Sequence, residues 1–273
     1  MSRDNNVLID ELRHAEPFPA RLTVSATKAR LFSVDTYFVE AWQQLTELTP
    51  DPLEFAHRHG IVVLKPDACA GRRGSAIINW LAEHGFEAAY CARLRFDRHS
   101  LRALWRYQWN MATPQRRALQ EQVMTSFDSL VVIVRRARPI RVPTTVYLTD
   151  LKGPSLPADR KPEHLRTVLK STNAILNFVH TADEPADVIR ELGIYFDTAQ
   201  RSACLRTLLR HDEPADTRML LEELESDHAR ACQDATDGPL CWDWLTQAVA
   251  GIPANLAGIE PLVRTVATDW GEP

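Results

Sequence analysis

The sequence lacks long apolar runs, paired cysteines and a strong net charge, and each lack excludes a class of protein. No run of about 18 apolar residues occurs, so we expect no transmembrane helix. Charged residues interrupt every apolar stretch of the N-terminus, which argues against a signal peptide or a membrane anchor. The five cysteines are scattered without CxxC spacing. A disulfide framework or a zinc site is therefore not expected, and a reducing cytoplasm fits best.

The composition is that of an ordinary globular protein. Apolar residues make up 45% and charged residues 25% of the 273 positions, which excludes wholesale disorder. A formal net charge of −4 provides no global attraction to nucleic acid or to an anionic membrane. A chain of this length holds one elaborated domain or one domain with helical additions.

Predicted strands and helices alternate through the middle of the chain. The apolar runs HGIVVLKPD and SLVVIVRR predict strands, EAAYCARLRF alternates like a strand, and NAILNFVH predicts a fourth. Amphipathic segments between them predict helices, among them one that starts at Pro143 and stops at Gly153. This order predicts an α/β fold of the α+β sandwich type, with a ferredoxin-like, mainly antiparallel sheet and helices packed on it.

We expect three segments along the chain. Residues 1–57 form an N-terminal extension with an amphipathic helix at SVDTYFVEAWQQLTEL, capped by Ser33 or Asp35. Residues 58–198 hold the predicted α+β domain. Residues 199–273 form a helical C-terminal extension, which is acidic around EELESDHARACQ and ends with the helical segment CWDWLTQAVAGI.

The segment GIVVLKPDACAGRRGSAIINWLAEHGF resembles the opening of nucleoside diphosphate kinases, where a strand ends in Lys-Pro-Asp and a loop leads into a helix closing at Gly-Phe. Lys65 stands at the motif lysine. Later segments match in the same order, namely Tyr107 ahead of Pro114, KPEHLRTVL with Arg166, and NFVHTADEPADVIRELGIYF with His180. The resemblance covers about half of the chain and implies the fold and chemistry of that family.

The resemblance implies that His180 is phosphorylated, that Glu191 orients it, and that Asn177 contacts the nucleotide sugar. A neutral imidazole is a competent nucleophile near neutral pH when its other nitrogen is held by a hydrogen bond. Phosphoryl transfer otherwise requires positioning and positive charge around the phosphate oxygens. Lys65 would supply a point charge and Arg166 a two-pronged guanidinium.

Three further residues take roles from the same resemblance. Tyr107 would hydrogen-bond the histidine side of the transferring group, Lys152 would partly replace a second phosphate-binding arginine, and Ser155 corresponds to a family threonine. The resemblance also implies a nucleoside triphosphate donor, ATP or GTP, and Mg²⁺ bridging its phosphates. Such a magnesium ion needs few protein ligands, so no dedicated metal-binding residues are predicted.

The sequence departs from the family pattern around the predicted nucleophile. The aromatic pair of which one member stacks on the base is replaced by Gln115 and Arg116. The Gly-Ser that usually follows the histidine becomes Thr181 and Ala182, which removes a hydroxyl that normally helps to hold the acidic partner. The nucleophile is kept, while much of the surrounding binding shell is changed.

Three hypotheses of function remain open from the sequence. The first is a phosphotransferase that acts through His180 on a nucleoside diphosphate or a related phosphorylated small molecule. The second is a catalytically degenerate domain of the same fold that binds nucleotide or a partner. The third is nucleic-acid binding by RLRFDRHSLRALWRYQWN, whose aromatic residues could stack bases, although such a stretch is more often an amphipathic helix with a solvated basic face.

Each predicted site residue also has a purely structural interpretation, as a surface lysine, a loop salt bridge or a core aromatic residue. Family members commonly form hexamers or tetramers, so the resemblance implies a homo-oligomer unless the terminal extensions replace those contacts. No membrane partner is expected.

Overall fold

A computed structural model of the chain describes residues 18–109, 112–138, 141–212, 216–234 and 241–250, together with Trp270. The described helices and strands are, in chain order, α1 (Ala26–Phe32), α2 (Thr36–Leu48), α3 (Pro52–Arg58), β1 (His59–Leu64), α4 (Pro66–Ala70), α5 (Gly74–Glu83), β2 (Phe86–Leu94), α6 (Arg98–Leu104), α7 (Pro114–Ser126), β3 (Ser129–Arg136), α8 (Thr144–Lys152), α9 (Leu165–Val168), β4 (Val179–Thr181), α10 (Pro185–Tyr195), α11 (Thr198–Arg210), α12 (Thr217–Asp234) and α13 (Trp242–Ala250). Among these, no helix has the length and apolar character needed to cross a membrane.

The described strands form one antiparallel sheet in the order β2-β3-β1-β4. Strand β1 pairs with β3 along one edge and with β4 along the other, and β2 pairs with β3. Helices lie between successive strands in the chain and pack on the sheet. The predicted α+β sandwich with a mainly antiparallel sheet is confirmed.

Central strand β1 is buried at every position because helices cover both faces of the sheet. Ile61 and Val63 enter one hydrophobic core, which they share with α2 and α10. Val62 and Leu64 enter a second core on the other face, beneath α5 and α12. A strand buried on both faces shows a continuous apolar run and no alternation, as residues 61–64 do.

The N-terminal helices pack into the first of these cores. Helix α2 begins where the Asp35 side chain accepts hydrogen bonds from the backbone N–H groups of Tyr37 and Phe38, so Asp35 is the predicted cap. Helices α2 and α10 are in backbone contact, since a Cβ added to Gly193 would lie 2.2 Å from the Tyr37 carbonyl oxygen. Helices α1 and α3, which the sequence analysis did not predict, flank α2.

Helices α12 and α13 cover the domain from the other side. Leu221 and Leu224 of α12 are buried in the second core. Leu245 and Val249 of α13 form a third apolar cluster with side chains of α7 and of the loop before β4. The acidic character of α12 therefore belongs to its solvent face, while Leu221 and Leu224 pack on the sheet side.

Two of the cysteines meet at the junction of α12 and α13. The Sγ atoms of Cys232 and Cys241 lie 2.7 Å apart, and both residues are partly exposed. The other three cysteines are buried. The fold thus brings together a cysteine pair that the sequence spacing did not suggest.

The predicted strand NAILNFVH is wrong in its length, because β4 covers only Val179–Thr181. The residues before it form a loop, in which the Asn173 side chain accepts hydrogen bonds from backbone N–H groups two and three residues further on. Such local bonds compete with strand pairing. Phe178 then takes a left-handed conformation with φ 65°, and its N–H donates to the buried Asp67 carboxylate at 2.9 Å.

Candidate active site

His180 lies in β4 directly opposite Val63 of β1. Its Nε2 is 2.8 Å from Oε1 of Glu191, which is buried on helix α10. The side chain of His180 is 18% exposed, so the imidazole can still be reached from outside. Because the bond to Glu191 engages Nε2, Nδ1 is the ring nitrogen that can attack an electrophile.

The second oxygen of the Glu191 carboxylate is also held. Tyr195, one helical turn further along α10, donates its hydroxyl to Glu191 Oε2 at 2.8 Å. Burial, together with the charge of Glu191 and the hydrogen bond to it, raises the pKa of Tyr195 well above its ordinary value. The phenol therefore stays protonated near neutral pH and remains a donor.

Trp105 is a neighbour of His180 that the sequence analysis did not assign to the site. Its indole meets the imidazole edge-on, with 6.0 Å between the ring centroids. Trp105 is itself 9% exposed and packs in the first core. An indole at this position limits the orientations open to the imidazole. The only sequence signal was an aromatic residue two positions before Tyr107.

Five cationic side chains, called the cation cluster below, occupy the region around the end of β1, the end of α8 and α9. Its members are Lys65, Arg116, Lys152, Arg160 and Arg166. Arg166 donates to the carbonyl oxygens of Gly153 at 2.8 Å and Val179 at 2.9 Å, and so reaches the residue next to His180. Lys65 donates to the carbonyl oxygen of Ile175 at 2.8 Å.

Burial lowers the pKa of every member of the cation cluster. It lowers the pKa of Lys152 to about 8 and that of Arg166 to about 9, and it lowers the pKa of Arg160 to about 10. The pKa values of Lys65 and Arg116 are lowered for the same reason. Repulsion from Arg166 adds to the effect on Lys65 and Lys152. The protein holds these cations at an energetic disadvantage, which an anionic ligand would relieve.

Two carboxylates lie within the cation cluster and balance only part of its charge. Lys65 Nζ is 3.3 Å from Asp67 Oδ1, and Lys152 Nζ is 3.5 Å from Asp183 Oδ1. Lys152 also donates to the hydroxyl of Thr181, which follows the histidine, at 2.5 Å. With Glu191, whose charge also acts on Lys152, five cations stand against three carboxylates, which leaves the region beside His180 positive, as a polyphosphate would require.

The remaining predicted site residues are placed as follows. Ser155 lies at the cation cluster, with its Oγ 3.4 Å from a guanidinium nitrogen of Arg166. Asn177 Nδ2 donates to the carbonyl oxygen of Ala174 at 3.0 Å, within the loop that precedes β4. The Tyr107 hydroxyl donates to Asp35 Oδ2 at 3.0 Å, and so is engaged with the cap of helix α2.

Arg116, one of the two residues that stand in place of the aromatic pair of the family pattern, is buried at the start of α7. One and two turns further along, Leu119 and Val123 meet side chains of the loop before β4 and the apolar face of α13. Among the described residues, no group of three or more His, Cys, Asp or Glu side chains is placed to hold a metal ion.

Comparison with known proteins identifies the family to which this chain belongs. A family model of nucleoside diphosphate kinases matches residues 58–201. Among solved structures, the nucleoside diphosphate kinase of Aquifex aeolicus is 17% identical with a TM-score of 0.43, over 52% of this chain and 97% of that one.

Two further kinase structures match to a similar degree. The nucleoside diphosphate kinase of Encephalitozoon cuniculi is 18% identical with a TM-score of 0.44, over 52% of this chain and 91% of that one. The NDP kinase of Pyrobaculum aerophilum is 17% identical with a TM-score of 0.40, over 52% and 97%. No curated protein matches the chain.

Proposed function

Because the chain belongs to the nucleoside diphosphate kinase family, we propose that it transfers the terminal phosphoryl group of a nucleoside triphosphate, ATP or GTP, through His180. The acceptor is a nucleoside diphosphate or a related phosphorylated small molecule. The observation that carries the proposal is the pairing of His180 Nε2 with Glu191 at 2.8 Å beside a net positive cluster.

The first half-reaction forms an N–P bond and breaks a P–O bond. The Nδ1 lone pair attacks the terminal phosphorus, and the bond to the bridging oxygen breaks with its electron pair leaving on the nucleoside diphosphate. The proton on Nε2 stays in its bond to Glu191, which stabilises the positive charge that develops on the ring. In the second half-reaction a phosphate oxygen of the acceptor attacks the phosphorus, and the N–P bond breaks.

The cation cluster would bind and orient the phosphate chain. Lys65 and Arg166 now donate to backbone carbonyl oxygens, and an incoming phosphate offers them stronger, charge-assisted acceptors. The nearby carboxylates Asp67 and Asp183 are paired with lysines and so are not free to bind a metal ion. These surroundings fit a magnesium ion that would take most of its ligands from the phosphate oxygens. Magnesium, when bound with the donor, supplies charge neutralisation at those oxygens.

Base recognition in this proposal is permissive. The start of α7 carries Gln115 and Arg116 where the family pattern has an aromatic pair. Stacking on the base is thereby lost, and recognition rests on the phosphates. We expect several nucleoside triphosphates to serve as donors with similar efficiency. We place the reaction in the cytoplasm, as the unpaired cysteine spacing suggested, and we expect a homo-oligomer as in other family members.

Labelling with γ-phosphate-labelled ATP and magnesium tests the proposal. We expect an acid-labile, alkali-stable label on the wild-type protein and none on His180→Asn. His99→Asn is the matched control, since His99 is exposed and lies on helix α6, away from strand β4. An unlabelled wild type, or equal label on His180→Asn, would overturn the proposal.

A second candidate function is nucleotide binding without turnover. It is favoured by the contacts of Lys65 and Arg166 with protein acceptors and by the packing of α13 against the loop before β4. It predicts that nucleotide raises the thermal midpoint of wild type and of His180→Asn equally, with no label on either. Labelled wild type would exclude it.

A further inference from the structure

Tyr195 stands in a chain of two hydrogen bonds that ends on the predicted nucleophile. Its hydroxyl donates to Glu191 Oε2 at 2.8 Å, and Glu191 Oε1 lies 2.8 Å from His180 Nε2. Both Tyr195 and Glu191 are buried, at 5% and 4% exposure. Each oxygen of the carboxylate therefore has one hydrogen-bond partner. Burial strengthens both hydrogen bonds, because water does not compete for the carboxylate.

The phenol ring is itself fixed by packing. It meets the Phe96 ring edge-on, with 5.6 Å between the centroids, within the first hydrophobic core. Tyr195 follows Glu191 by four residues on α10, so the two side chains share one face of the helix. The donor is therefore held in place by helix geometry and by the core together.

A carboxylate with one bound oxygen can rotate and present either oxygen to a neighbour. A donor on Oε2 removes that freedom and keeps Oε1 directed at the imidazole. A carboxylate held against Nε2 keeps the proton on that nitrogen and the lone pair on Nδ1. The orientation of the nucleophile therefore depends on a residue that does not touch it.

We propose that Tyr195 is a positioning residue for the phosphorylation of His180, acting through Glu191, and that it supplies the donor lost with the serine replaced by Ala182. The inference rests on the proposed function for its kinetic consequence. The hydrogen-bond chain that it describes exists whether or not phosphoryl transfer occurs.

Tyr195→Phe tests the kinetic consequence, because it removes one oxygen atom and keeps the ring. A hydrogen bond to a charged group contributes about 1.5–3 kcal/mol, so we expect the rate of His180 phosphorylation at saturating donor to fall about 10-fold to 100-fold. The KM for nucleotide should stay within about twofold, since the phenol contacts Glu191 and not the cation cluster. Tyr90→Phe, in the same core, is the matched control and should leave the rate unchanged.

A double-mutant cycle tests whether Tyr195 acts through Glu191. In a Glu191→Gln background, Tyr195→Phe should change the rate by less than about threefold, since the carboxylate that it positions is gone. An equal loss in both backgrounds, or a wild-type rate in the single variant, would overturn the inference.

The tautomer of His180, measured from its side-chain ¹⁵N chemical shifts, gives a readout free of turnover. Wild type should carry the proton on Nε2, and Tyr195→Phe should show a mixture of tautomers. An unchanged tautomer in the variant would overturn the inference. If Tyr195→Phe does not fold, an exchange-protected hydroxyl proton of Tyr195 in wild type supports the inference, and a rapidly exchanging one overturns it.

The two proposals fail separately. A wild type that is never phosphorylated but shows the tautomer shift in Tyr195→Phe would remove the proposed function and keep the positioning role. If wild type and Tyr195→Phe are phosphorylated at the same rate, the proposed function is kept and the positioning role is removed.

Discussion

Nucleotide binding should draw a proton onto Lys152 and should weaken as the pH rises. Burial lowers the pKa of this lysine to about 8, so the free protein carries it half charged near that pH. A phosphate chain beside Lys152 favours the charged form and raises the pKa in the complex. Affinity therefore falls as the pH rises from the pKa of the free protein to that of the complex.

The size of the effect follows from the strength of one charged hydrogen bond. A gain of about 1.5–3 kcal/mol raises the Lys152 pKa by about 1–2 units. The association constant should then fall about 10-fold to 50-fold between pH of about 7 and pH of about 10. The second ionisation of a phosphate group, near pH of about 6, lies below this window and does not contribute.

Isothermal titration calorimetry of a nucleoside diphosphate with magnesium measures both quantities. Runs in two buffers of different ionisation enthalpy should give an uptake of about half a proton near pH of about 8. Lys152→Met should lower the uptake near pH of about 8 and make the pH dependence shallower, with the remainder coming from Arg166, whose pKa burial lowers to about 9. Lys161→Met is the matched control, because Lys161 is exposed, and it should behave like wild type. Equal pH dependence in wild type and Lys152→Met would refute the reasoning.

Three further predictions concern stability and thiol chemistry. Gly193→Ala should lower the unfolding free energy by about 1–3 kcal/mol in a urea titration, since its Cβ would lie 2.2 Å from the Tyr37 carbonyl oxygen and the gain in helix propensity of about 1 kcal/mol cannot offset that clash. His59, whose pKa burial lowers to about 4, should make the protein less stable as the pH falls from about 6.5 to about 4, because only the unfolded chain takes up the proton, and His59→Asn should show a shallower slope. Mild oxidation with glutathione disulfide should join Cys232 to Cys241, whose sulfur atoms lie 2.7 Å apart, and peptide mapping that finds another pair would contradict this.

Site residues that are held by neighbouring elements of the chain were predicted from the sequence, and those held by packing between distant segments were not. His180 and Glu191 were predicted from motif spacing, and β4 and α10 bring them together because a strand and the helix after it pack on each other. Trp105 and Tyr195 were not predicted. An aromatic residue in an amphipathic helix carries no signal that distinguishes a core position from a place beside the nucleophile.

Tyr107 is a predicted site residue whose hydroxyl bonds to a residue that the sequence analysis did not connect with it. The resemblance assigned it a role beside the histidine, and the structure directs its hydroxyl to Asp35, on a segment outside the matched family region. Arg190 binds the same carboxylate at 2.9 Å. Contacts between segments far apart in the sequence produce no periodicity or motif spacing from which they could be predicted.

The sequence by itself determined strands β1, β2 and β3, the helix from Thr144 to Lys152 between Pro143 and Gly153, and the order of the family motifs. These depend on apolar periodicity and on backbone preferences, which act over a few residues. Only the tertiary structure decided how the cation cluster is charged, which donor holds Glu191, and how the terminal helices enter the core. Those outcomes depend on burial and on long-range contacts, which exist only once the chain has folded.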